Sequence, residues 1–255
     1  MKLKGKRAVV VGGASGMARA TAASLVSAGV RVAILDRPES KGVEVASELG
    51  RDTTFHPCDV RDPVGTEEAL AAAVDALGAI PIAVNTAGGG LSRRTVTKGG
   101  PMDLDFFADI IGLNLIGTFN LNRLQAWQMS KNEPDADDER GVIINTASIA
   151  AFEGQIGQVA YSAAKGGLVS MTLTMARDLG TLGIRVLTIA PSLFMTGLTE
   201  RIPDDMAQGL LRHSAFPRRP GRPDEYAKLA LAIVENPMLN GTTIRLDGGT
   251  RFSPK

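Results

Sequence analysis

Ser148, Tyr161 and Lys165 lie within one stretch, NTASIAAFEGQIGQVAYSAAKGG, and their types and spacing suit proton chemistry. Tyr161 and Lys165 are one helical turn apart, so both project from the same helix face. A free phenol titrates at about 10, too high for efficient proton exchange near neutrality. An ammonium beside it favours the ionised form and makes the pair a usable acid and base. Ser148 stands just beyond an apolar run, where its hydroxyl can hold a substrate oxygen. A lone Tyr-x-x-x-Lys is ordinarily just a helix face, so the surrounding elements must decide.

The stretch VVVGGASGMARAT, residues 9–21, reads as a strand, a glycine turn and a helix start. Gly12 lets the chain turn sharply, Gly16 lets the backbone approach phosphates, and the N–H groups around Ser15, Gly16 and Met17 open an anion site at the helix start. Asp36 ends the second apolar run, 20 residues after Gly16, where a carboxylate can take both hydroxyls of an adenosine ribose. That carboxylate would repel a 2′-phosphate, so NAD is expected over NADP, with Arg37 keeping NADP as the alternative. Asp59 and Val60, in CDV, are expected at the adenine.

Two positions in the turn depart from the usual pattern. Val11 lacks the hydroxyl of the threonine that many such loops carry there, which predicts a looser loop. Ala18 adds a methyl where the helix meets the sheet, offset by the ~1 kcal/mol by which alanine outdoes glycine in a helix.

The elements that must position these groups are legible from the alternation of short Val/Ile-rich runs with helix-patterned stretches, the signature of βαβ units and a parallel sheet. Strands are expected at 7–11, 31–35, 53–57, 82–85, 141–145, 185–190 and 242–246, and helices at 17–28, 40–49, 63–77, 102–130, 159–180 and 223–235. Continuous rather than alternating apolar runs fit strands buried on both faces. The fold class expected is α/β: a single doubly wound, Rossmann-like domain over residues 1–255, with a seven-stranded parallel sheet flanked by helices. Residues 191–223, rich in proline and arginine and without clear periodicity, are expected to cover a site.

These matches, with NTAG at 85–88 and NLIG at 114–117, resemble the short-chain dehydrogenase/reductase family along nearly the whole chain. The resemblance implies a catalytic set of Asn114, Ser148, Tyr161 and Lys165, with Asn114 relaying protons through a water to Lys165. It also implies that Lys165 grips the nicotinamide ribose and that Asn85, Thr86, Ala87, Gly88, Pro191, Phe194 and Thr196 line the cofactor. Gln155 joins Ser148 and Tyr161 at the substrate. Ser192 and Thr86 depart from the residues common at those places.

Within the family the likeness is to the 3-hydroxyacyl-CoA dehydrogenase branch, implying an acyl-CoA thioester substrate and a homotetramer. Carrier-protein-linked 3-oxoacyl reduction and hydroxysteroid oxidation are the enzymatic alternatives, and a cofactor-binding scaffold for a protein or RNA partner is the non-enzymatic one. Arg93, Arg94, Lys98, Arg201, Arg212, Arg218, Arg219 and Arg222 could form a cationic rim for CoA phosphates, diluted by Glu200, Asp204 and Asp205.

Composition narrows the classes. With 255 residues, 44% of them hydrophobic, the chain can build a substantial core, and its net charge of +1 supplies no global field for nucleic acid or anionic membrane. The single cysteine, Cys58, reads as a buried thiol and fits a reducing compartment. MKLKGKRAVVVGG lacks the apolar core and cleavage site of a secretion signal, and no run approaches the ~18 apolar residues of a membrane span, so a cytoplasmic protein is expected. His56 and His213 have no metal-ligand spacing, and no metal is expected.

Overall fold

The computed structural model describes residues 1–196 and 213–254. The chain runs β1 (Arg7–Val11), α1 (Gly16–Ser27), β2 (Arg31–Asp36), α2 (Gly42–Leu49), β3 (Thr53–Pro57), α3 (Pro63–Leu77) and β4 (Ile82–Asn85). A small hairpin of β5 (Val96–Thr97) and β6 (Gly100–Pro101) precedes α4 (Leu104–Ile111), a π-helical turn (Gly112–Ile116) and α5 (Gly117–Met129). Then come β7 (Gly141–Thr146), α6 (Val159–Gly180), β8 (Ile184–Pro191), α7 (Pro223–Glu235) and β9 (Thr243–Leu246).

The seven long strands form one sheet in the order β3-β2-β1-β4-β7-β8-β9, every pair parallel. Their side chains alternate between two apolar layers. Ala8 and Val10 of β1 meet Ala18, Ala22 and Leu25 of α1 and Tyr226 and Ile233 of α7. Val9 and Val11 meet Leu70 and Ala73 of α3 and Leu121 of α5. Each such fully buried valine is worth about 1.5–3 kcal/mol, which is why an unbroken valine run is stable here and would not be on a half-exposed strand. Ala18 is 1% exposed and fills the α1–sheet interface with its methyl.

The helix expected over 102–130 is broken by the π turn. Asn114 at its centre sends Nδ2 to the Ile110 carbonyl, 3.0 Å away, and glycines at 112 and 117 flank it. The Gly117 position admits nothing larger, because a Cβ there would stand 2.8 Å from the Val60 carbonyl. Such turns widen a helix locally and re-aim a side chain. By length and composition Leu104–Met129 is also one helical stretch apolar enough to cross a membrane, against the expectation that none would be. Here it packs on α3, α6 and β7 and buries Asn114, Asn122 and Gln125, as a helix covering a sheet does.

The strand order reverses between β1 and β4, since β2 and β3 extend one way from β1 and all later strands the other. The crevice at the carboxyl ends of those two strands is where doubly wound sheets bind ligands.

Candidate active site

The glycine turn leaves β1 at this crevice. Gly12 has φ of +82°, and a Cβ on it would stand 2.8 Å from Thr86 Oγ1 and 3.0 Å from the Ala87 nitrogen. Gly16, with φ of +53°, opens α1 directly under Thr196, whose Cγ2 would lie 3.0 Å from an added Cβ. Ser15 is exposed and its side chain makes no cap hydrogen bond, so the first turn of α1 presents its N–H groups. Met17 is half-buried against the α1-side core. Asp36 leans over the same turn, Oδ2 accepting from Ala14 N at 2.9 Å and Oδ1 from Arg37 N at 2.8 Å. The Arg37 guanidinium turns to Glu39, 2.9 Å away.

The floor of the site is a compact polar cluster. Lys165 is 3% exposed, and its ammonium donates to the Thr146 carbonyl at 2.8 Å. Thr146 is held in turn: its hydroxyl donates to the Asn85 carbonyl at 2.8 Å, which leaves Tyr226 as the donor to Thr146 Oγ1 at 2.7 Å. The Asn114 amide pairs with Gly89 in both directions, Nδ2 to Gly89 O at 2.7 Å and Gly89 N to Oδ1 at 3.0 Å. A Cβ on Gly88 would stand 2.7 Å from Asn114 Oδ1 and 3.1 Å from Lys165 Nζ, so the loop passes flush against both. Over Gly89, by contrast, an added Cβ would meet nothing within 4 Å.

Ser148 caps a short 3-10 turn (Ile149–Ala151), its Oγ accepting from Ala150 N at 3.2 Å, and it is hydrogen-bonded to the Tyr161 phenol. Burial pushes the Tyr161 phenol up, and the Ser148 hydrogen bond pulls it partly back. Burial also lowers Lys165, from 10.5 to about 8. Both shifts disfavour the charged forms, so the simple expectation of an ammonium depressing the phenol gives way to desolvation: Lys165 Nζ sits 5.7 Å from the Tyr161 ring centre and bonds the Thr146 carbonyl instead.

The sign for stability follows from the direction of the lysine shift. An amine depressed in the folded state carries its full penalty below the folded value and sheds it as pH rises to the unfolded value. Urea unfolding from pH 8 to 10.5 should therefore show wild type gaining about 3 kcal/mol relative to Lys165→Met. A flat difference would mean that the ammonium is solvated.

The Asn85 amide faces the core, not the crevice, its Nδ2 lying 2.9–3.0 Å from side-chain oxygens of Asn122, Gln125 and Asn145. Only its backbone reaches the site. Phe194 is 5% exposed, its ring packed over Gly221 where no Cβ would fit. Asp59 is clasped by Arg61 at 2.8 and 3.2 Å, which holds its carboxyl below the usual range, and Val60 is buried in the α3-side layer.

Pro191 ends β8 paired with Leu246, and Ser192 N continues that pairing at 3.2 Å. Gln155 Nε2 reaches the Ser253 carbonyl at 3.4 Å, tying its loop to the chain's last described residues. Ala87 and Gly88 are half-buried along the crevice. Cys58 is buried and burial raises its thiol.

The cationic rim is thinner than the residue types suggested. Arg219 is paired with Glu225 at 2.6 Å, Arg222 with Glu225 at 3.3 Å and Asp224 at 3.5 Å, and Arg93 lies 4.3 Å above the Phe106 ring. Arg94, Lys98 and Arg218 have no ion pair among the described residues. Arg201, Arg212, Glu200, Asp204 and Asp205 lie outside them. Thr146, Gly89 and Tyr226 were missed by the sequence reading: they act through backbone carbonyls or from behind the sheet, and no residue-type pattern announces that.

The glycine turn, the uncapped helix start, Asp36 and the open space over Gly89 fit a dinucleotide, and a doubly wound sheet carrying them beside this Ser-Tyr-Lys cluster defines a nicotinamide-linked oxidoreductase of CH–OH groups. Residues 6–207 match the family described as short chain dehydrogenase, and the chain belongs to that family. It is 50% identical to human 3-hydroxyacyl-CoA dehydrogenase type-2 over 99% of this chain and 97% of that one. It is 34% identical to ipsdienol dehydrogenase of Ips pini over 98% of this chain and 99% of that one. The crystal structure of 3-hydroxyacyl-CoA dehydrogenase type-2 from Mycobacterium avium superposes with a TM-score of 0.94 at 41% identity, covering 98% of both chains.

Proposed function

We propose that this protein is an NAD-dependent 3-hydroxyacyl-CoA dehydrogenase, interconverting 3-hydroxyacyl-CoA and 3-oxoacyl-CoA in the cytoplasm. The observation that carries the reading is the Ser148–Tyr161 hydrogen bond at the crevice, with Lys165 buried one turn further along α6. The names and full-length coverage of the relatives support the substrate class.

In this reading Ser148 holds the substrate oxygen and Tyr161 exchanges its proton. Lys165, oriented by Thr146, stabilises the phenolate that forms, and Asn114 fixes the Gly88–Gly89 loop against it. Bound NAD supplies the hydride acceptor. Thr196 lies over Gly16 at the edge of the site, and most of the segment expected to cover it, 197–212, lies outside the described residues. The exposed Ile116, Phe119 and Trp127 along α5 and the preceding turn support a homotetramer, which light scattering would count.

Steady-state turnover of acetoacetyl-CoA with NADH tests the substrate. Brisk turnover is expected; none, alongside turnover of the acyl-carrier-protein thioester or a hydroxysteroid, would overturn it. For the cofactor, Asp36→Ala removes a carboxylate whose oxygens are already ordered by two backbone N–H groups. It should cut the preference for NADH over NADPH at least about tenfold in Kd, since hydrogen bonds to charged groups are worth about 1.5–3 kcal/mol. An unchanged ratio would place the ribose elsewhere.

A further inference from the structure

Two departures from the usual loop, Val11 in β1 and Thr86 after β4, prove to be one arrangement. The Val11 carbonyl accepts two hydrogen bonds from the same residue, from Thr86 N at 3.0 Å and from Thr86 Oγ1 at 3.0 Å. A carbonyl only accepts, so the threonine hydroxyl is the donor and its single proton is committed here. The next residue, Gly12, is pressed against that hydroxyl, an added Cβ falling 2.8 Å from Oγ1. Val11 itself is 1% exposed, in the apolar layer against which Ala87 packs.

We propose that Thr86 is the positioning residue of the glycine turn. It supplies from the β4 side the hydroxyl tie that β1 does not provide at Val11, and thereby fixes Gly12 and the helix start that receives the pyrophosphate. The looser loop predicted from Val11 alone does not arise, because the tie is kept with its donor moved to the neighbouring strand. Thr86 and Val11 therefore form a coupled pair: a hydroxyl is needed at one of them. This inference rests on the dinucleotide reading of the site.

Thr86→Val, Val11→Thr and the double variant test it, each nearly isosteric and expected to fold. NADH dissociation constants are measured by fluorescence titration, and exchange of the amides of residues 12–16 is measured without cofactor. Thr86→Val should weaken NADH about fivefold, the value of one hydrogen bond, and speed amide exchange in the turn by a similar factor. The double variant should return both quantities to within twofold of wild type, and Val11→Thr alone should leave both within twofold.

If Thr86→Val leaves both unchanged, or if the double variant is no better than Thr86→Val, the inference fails. Should wild type bind no NADH at millimolar concentration, the cofactor reading fails instead, and exchange in the cofactor-free protein still decides the tie.

Discussion

Tyr161→Phe is expected to lower kcat for 3-hydroxyacyl-CoA oxidation about a thousandfold while leaving the NADH dissociation constant within twofold. General acid–base catalysis contributes about 10²–10⁴-fold, and among the described residues the phenol is the group that both touches Ser148 and lies over the buried lysine. The ring itself stays: its Cδ2 would lie 3.4 Å from a Cβ on Gly90, so phenylalanine keeps the packing that shapes the loop. Because burial raises the phenol, the acid limb of kcat for alcohol oxidation should rise with pH in wild type and vanish in the variant. A variant that keeps a tenth of wild-type kcat would move the proton transfer to another group.

The largest effect on stability is expected far from the crevice, at Arg185. This 6%-exposed guanidinium donates to Glu139 Oε1 at 2.8 Å, to the Ile233 and Leu239 carbonyls at 2.9 Å and to the Val234 carbonyl at 3.0 Å. It thereby satisfies the end of α7 and the turn behind it, which otherwise would bury bare carbonyls. Arg185→Met should cost about 3–5 kcal/mol in urea unfolding, because it leaves the buried Glu139 carboxylate with only the N-terminal ammonium, 3.3 Å away, and strips several carbonyl acceptors at once. Arg185→Met with Glu139→Gln should recover part of that loss. If the single variant costs less than about 1 kcal/mol, water has replaced the guanidinium.

The sheet was legible because a strand covered on both faces has no choice of residue type, and runs such as AVVV at 8–11 or VAIL at 32–35 say so directly. The Ser148, Tyr161 and Lys165 cluster was legible because helical periodicity and strand ends convert spacing into geometry. The break at Gly112–Ile116 was not, since the apolar pattern runs through it unchanged and the cause is a side-chain bond from Asn114 back to its own helix. The side-chain directions of Asn85 and Phe194 were not legible for a related reason: residue type indicates that a group can bind, but which way it faces depends on the neighbours it packs against. For Asn85 those are three amides from α5 and β7, and for Phe194 it is a glycine 27 positions later in the chain.

Backbone bonds from Met195 N to Gly221 O and from Gly221 N to Leu193 O, both 2.8 Å, join with the Phe194 ring to clamp the two feet of the intervening chain onto the core. A loop closed at fixed feet costs only about 0.6 kcal/mol more for each doubling of its length. The two feet are therefore held by the core itself, whatever number of residues joins them.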